Sequence, residues 1–136
     1  MAVFMSNSVT VTINSVDLTD HITAVDLPVE AETQDSTAFG DDWRESIGGL
    51  KNGSVTIGFQ QDFAASEVDA TLWPLLGTSV EVIVKPTSSA ISATNPAYTG
   101  NFIVSQLQPI AGSIGNLATM NVTWPLTGEL VRDTTA

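Results

Sequence analysis

The sequence predicts a mainly β fold: a single β-sandwich or barrel-like domain with one flanking α-helix at about residues 64–76 and a long loop at about residues 33–51. Three observations predict it. Val, Ile and Thr supply 40 of the 136 residues, the β-branched bias that suits a pleated, half-buried surface. Apolar and polar residues alternate in several short runs, the period of a strand with one buried face. Turn residues bound each run.

The elements follow in order along the chain. Val9, Val11 and Ile13 alternate with Thr10 and Thr12, giving one apolar and one hydroxyl-bearing face. Thr19-Asp20-His21-Ile22 reads as a single helical turn capped by Thr19. Val55, Ile57 and Phe59 alternate with Ser54, Thr56 and Gly58, after an Asn52-Gly53 turn signal. Val80, Val82 and Val84 form the next strand, ending at Pro86. Phe102-Ile103-Val104, Met120 to Trp124 and a short Glu129-Leu130-Val131 complete the set, with Gly128 as the last turn.

The helical segment, Ala64 to Leu76, has Ser66 as its N-cap candidate, with Glu67 and Asp69 in the first turn where the helix dipole favours them. Val68, Leu72 and Leu75 share one face, and Gly77 is a C-terminal stop. Trp73-Pro74 disturbs the last turn. Residues 1–136 fit one domain by length, with residues 1–7 as a flexible N-terminus. Neither a signal-peptide core nor an apolar run of membrane-spanning length is present, so folding in a cytoplasm is expected.

Composition narrows the function. Fifteen acids face four bases, for a net charge of −11. Arg44, Lys51, Lys85 and Arg132 cannot build the basic footprint that grips nucleic acid or an anionic membrane. The chain has no cysteine and a single imidazole, His21, which excludes zinc clusters, iron–sulfur centres and cysteine nucleophiles. The closest acid sets are Asp41-Asp42, Glu30 with Glu32, and Asp17 with Asp20; nothing marks any of them as a glycosidase pair rather than solvated carboxylates. Asp35 to Glu45 offers oxygen donors without the spacing of a calcium loop, leaving at most weak divalent-cation binding. His21 reads as structural or exposed, and Gly112-Ser113-Ile114-Gly115 is no phosphate fingerprint. No catalytic, cofactor-binding or metal residue is singled out; no enzyme and no cofactor are expected.

Two irregularities carry more. Ten of the fifteen acids lie between Asp17 and Asp62, while the chain from Ala64 onward is nearly uncharged and rich in Ser, Thr, Ala and Gly. A neutral hydroxyl-rich surface beside an acidic one suits a subunit that buries itself against copies of itself. The stretch 33–51 has no alternation, yet holds Phe39, Trp43, Ile47 and Leu50. Disorder predicts few aromatics, so this segment packs against something.

Several motifs occur in a familiar order: Asp17-Leu18-Thr19-Asp20-His21-Ile22, Leu27-Pro28, Phe39-Gly40-Asp41 and Gly48-Gly49-Leu50-Lys51-Asn52-Gly53-Ser54. Phe59-Gln60-Gln61-Asp62-Phe63-Ala64, Val68 to Gly77, Ser92 to Pro96 and Gly112 to Thr119 follow. Over roughly residues 17–133 the chain resembles small virion structural proteins of long-tailed bacteriophages, and is most similar to tail tube (major tail) proteins. The resemblance implies a β-sandwich with a flanking helix, assembled with copies of itself into stacked hexameric rings around a channel for DNA, and meeting other phage tail or head proteins. It also implies a long loop reaching to neighbouring subunits, with Phe39, Trp43, Ile47 and Leu50 as its apolar anchors. Asp17, Asp26, Glu30, Glu32, Asp62 and Glu81 are then candidate channel-facing acids, which would repel phosphates and let DNA pass without specific binding. A head decoration protein on the capsid surface is the alternative, and a glycan-binding tail domain a remoter one.

Overall fold

The computed structural model describes residues 9–65 and 67–135, and the expectations for residues 1–7 and for a Ser66 cap lie outside them. The described residues form eight strands: β1 (Thr10–Ile13), β2 (Val16–Asp17), β3 (Ile22–Asp26), β4 (Val29–Asp35), β5 (Ser46–Gln60), β6 (Ser79–Lys85), β7 (Ala97–Ile103) and β8 (Thr119–Asp133). They make one curled antiparallel sheet in the order β2-β1-β6-β7-β8-β5-β3, with β4 paired to β5 alone. The mainly β, barrel-like fold with one short helix is thus the observed one.

The alternation seen in the sequence builds the core. Val11 and Ile13, Val55, Ile57 and Phe59, Val80 and Val82, Phe102, and Met120, Val122 and Trp124 are all buried within the curl. Direct register pairs Val55 with Trp124, Ile57 with Val122 and Phe59 with Met120, so each row of the sheet closes its apolar face. The Phe59 and Trp124 rings lie 6.4 Å apart, and the indole N–H donates to the Gln106 carbonyl at 3.0 Å. Val68 and Leu72 of the helical segment join this core.

The long β8 merges two runs that the sequence separates. Its first half pairs with β5 and its second half with β7. Gly128, expected as a turn, instead sits in a bulge at φ +89°, where the register slips between Thr99 and Asn101 of β7. The left-handed conformation explains the glycine, and the bulge lets one strand serve two neighbours by bending. Asn52-Gly53 is likewise no turn but strand interior. A Cβ on Gly53 would stand 3.0 Å from the Pro28 carbonyl, which accepts the Ser54 N–H.

The helix is shorter than expected. α1 spans Val68–Leu72 and tightens into a 3-10 turn at Trp73–Leu75. Pro74 lacks the N–H that would continue the α pattern. Upstream, Asp62 accepts the Ala64 N–H, and residues 62–65 are not helical. The predicted turn at Thr19 exists as a 3-10 turn, Thr19–His21, without a side-chain cap. The Thr19 hydroxyl instead bonds the backbone of Val11. Among the described residues no helix is long and apolar enough to cross a membrane.

Candidate functional site

The stretch expected as a loop at 33–51 is a two-stranded arm. β4 and residues 46–53 of β5 pair from Val29–Gly53 to Asp35–Ser46, with one bulge where Gly49 and Leu50 oppose Glu32. The sequence hid this because every residue of β4 is exposed. With neither face buried, no alternation is required. Only residues 54–60 of β5 pair with β8, so the arm runs beyond the sheet with both long edges unpaired among the described residues.

The four expected anchors all lie on this arm. Phe39 is fully exposed and Trp43 is 85% exposed in the connecting loop, while Leu50 is 78% and Ile47 59% exposed on β5. The loop itself is ordered by its own polar groups. The Thr37 and Ala38 N–H groups donate to the carboxylates of Asp35 and Asp41. The Glu45 N–H donates to the Thr37 hydroxyl, and the Arg44 guanidinium sits 3.0 Å from Asp35. The Thr37 hydroxyl and N–H hold the Asp35 carboxyl below its usual range. The arm therefore presents two bare aromatic rings on a structured tip.

Register places three of the six candidate channel acids on one face. Asp17 lies in a row with Thr12, Ile83, Thr99 and Val131; Glu81 with Asn101 and Thr127; Asp26 with Thr56 and Thr123. These rows form the face of the sheet opposite the core, since the alternate rows hold Val55, Ile57, Val82 and Phe102. That face is otherwise hydroxyl- and amide-rich, and Thr56 bonds Thr123 across it at 3.1 Å. Glu30 and Glu32 instead belong to the arm. Asp62 stands apart from both groups, half-buried against His21.

His21 uses both ring nitrogens. Nδ1 lies 3.0 Å from Asp20 and 3.5 Å from Glu67, and Nε2 lies 2.9 Å from Asp62. The hydrogen bonds to Asp20 and then Asp62 push the imidazole above its ordinary pKa. The Ala64 N–H, followed by His21, holds Asp62 below the usual carboxylate value. Sequence reasoning found no partner for His21, because Asp62 is 41 residues away.

The mouth of the curl, between β3 and the β1–β6 strands, forms an open cleft of about 670 Å³ lined by Ile22, Val25, Leu27, Val84 and Tyr98 among others. Its described lining contains one cation, Lys85, and no carboxylate. Asp41 and Asp42 sit exposed at the tip of the arm, not in a cleft.

No protein-family model matches the sequence, and no curated protein does. Solved structures are similar in fold. A chain from the virion of a native gene transfer agent (GTA) particle superposes with a TM-score of 0.78 at 19% identity, covering 98% of this chain and 100% of that one. A chain from the tail of an empty GTA particle, refined with C6 symmetry, superposes with a TM-score of 0.66 at 22% identity, covering 85% and 83%. The shared fold extends over essentially the whole chain.

Proposed function

We propose that this chain is a phage-type tail structural protein, the tail tube (major tail) subunit of a virion. It assembles with copies of itself into stacked hexameric rings whose channel passes DNA. The single observation that carries this reading is the arm: a paired ribbon with exposed aromatic and aliphatic side chains and, among the described residues, no partner strand or sheet beyond its own hairpin. A lone two-stranded hairpin is marginal in water, so such an arm is completed by a neighbour. Phe39, Trp43, Ile47 and Leu50 are the contacts it inserts, as aromatic anchors in an interface core. Likeness to chains of GTA virion and tail particles, the latter with C6 symmetry, supports the same role.

The face opposite the core supplies the channel wall in this reading. Its hydroxyls and amides interact weakly with a sliding duplex, and Asp17, Asp26 and Glu81 repel phosphates. Glu30 and Glu32 travel with the arm, and Asp62 is engaged with His21. The role is structural and calls for no catalytic group or cofactor. The subunit is assembled in the host cytoplasm and ends in the virion, beside other tail or head proteins.

Negative-stain electron microscopy of the purified protein tests this. Sixfold rings or tubes are expected. Monomers or trimers that attach only to capsids would replace the tail tube by a head decoration protein.

A further inference from the structure

The groups around His21 have an arrangement that the proposed tube role does not call for. His21, Asp62 and Glu67 each offer one ligand atom, and these atoms lie within 4.8 Å of one another. All three residues are partly buried, and they come from two segments, the Thr19–His21 turn and the connection between β5 and α1. One imidazole with two carboxylates is a donor set for a first-row divalent ion rather than for magnesium or calcium.

The spacing fits. Two ligands each about 2.1 Å from one ion stand about 3 to 3.5 Å apart. The His21 Nε2 to Asp62 Oδ2 separation is already 2.9 Å, while the Glu67 carboxylate, 3.5 Å from Nδ1 and within 4.8 Å of the other ligand atoms, would turn toward Nε2 to complete the set. The supporting contacts fit as well. Asp20 Oδ1, 3.0 Å from Nδ1, accepts that N–H, so Nε2, turned to the Asp62 carboxylate, is the nitrogen whose proton an ion would replace. A carboxylate behind a histidine in this way fixes the tautomer and orients the ring toward a metal. Asp62 is oriented too, because its Oδ1 accepts the Ala64 N–H at 2.9 Å and its Oδ2 is the oxygen turned to the imidazole.

We propose that His21 Nε2, Asp62 Oδ2 and a Glu67 carboxylate oxygen bind one divalent transition-metal ion, with Zn2+ as its representative, and that Asp20 positions the imidazole. Water completes the coordination. The ion takes the place of the Nε2 proton, which leaves to solvent, and it offsets charge where three carboxylates surround one imidazole. It ties the turn before β3 to the turn before α1, segments more than 40 residues apart in the chain. This site is independent of whether the protein builds a tube.

The test is calorimetric titration of untagged, chelator-stripped protein with ZnCl2 at neutral pH, with MgCl2 in parallel. One zinc per chain is expected, at least about tenfold tighter than magnesium. His21→Gln and Asp62→Asn should each weaken binding at least tenfold, and Asp20→Asn by about tenfold as a lost positioning contact. His21 is the only imidazole in the sequence. Its two ring nitrogens can therefore be followed by 15N NMR in the unaltered protein, whatever the variants do to folding. Zinc should shift Nε2 as the ligating nitrogen and leave Nδ1 protonated. Absence of saturable one-to-one binding, equal affinity in His21→Gln, or an Nε2 resonance unmoved by zinc would each overturn the proposal.

Discussion

The backbone N–H of Thr37 donates to the Asp35 carboxylate at 2.9 Å, so the arm is turned back on itself by its own side chains. Neither residue is buried, and neither touches the core. The tip thus has local order independent of the hydrophobic centre, which lets each be perturbed separately.

Acid should loosen the tip. Thr37 holds the Asp35 carboxyl below its usual value of 3.8. A depressed carboxylate stabilises the folded form above its unfolded pKa, and that contribution is lost as pH falls through the folded value. Amide exchange at Thr37 and Glu45 should therefore accelerate below about pH 4 relative to the core amides. Asp35→Asn should remove this added acid sensitivity; an unchanged profile would contradict the account.

Assembly and stability should separate at the arm. Phe39→Ser with Trp43→Ser removes two exposed rings, and surface substitutions of this kind change stability by about 0.5 kcal/mol or less. Urea midpoints should stay near the parent value while rings and tubes disappear from micrographs.

The core should respond in the opposite way. Phe59→Ala empties a fully buried ring beside Trp124 and should cost about 3 to 5 kcal/mol in urea unfolding. Trp124→Phe also leaves the Gln106 carbonyl without its indole donor, and should cost about 1 to 3 kcal/mol.

Gly128 should tolerate volume but not a Cβ's conformational preference. No atom lies within 4 Å of where its Cβ would be, yet φ is +89°. Gly128→Ala should destabilise by about 1 to 2 kcal/mol, and Gly128→Asn by less, because asparagine visits left-handed geometry more readily. Thermal unfolding of the pair checks this.

The channel reading makes a charge prediction. Asp26→Lys with Glu81→Lys reverses charge on the face opposite the core without touching the core rows. Tubes should still form, and should then retain duplex DNA at low salt and release it as salt rises. Retention equal to the parent would remove that face from the channel wall.

The strands that bury one face could be read directly, because Val55, Ile57 and Phe59 must alternate with polar neighbours once their side chains enter a core. The same physics concealed β4, since an element exposed on both faces carries no periodicity. It also concealed the continuity of β8, where Gly128 reads as a turn although it serves as a bulge. Phe39, Trp43, Ile47 and Leu50 stood out as aromatic and aliphatic residues in a stretch without alternation, but not the paired ribbon that displays them.

Local chemistry along the chain was enough to determine a mainly β domain, its core rows, its acidic imbalance and an apolar segment excluded from that core. Tertiary structure alone decided which acids share a face and which carboxylates meet His21. Those facts depend on strand register and on contacts between residues some 40 positions apart, and a short-range pattern carries no information at that distance.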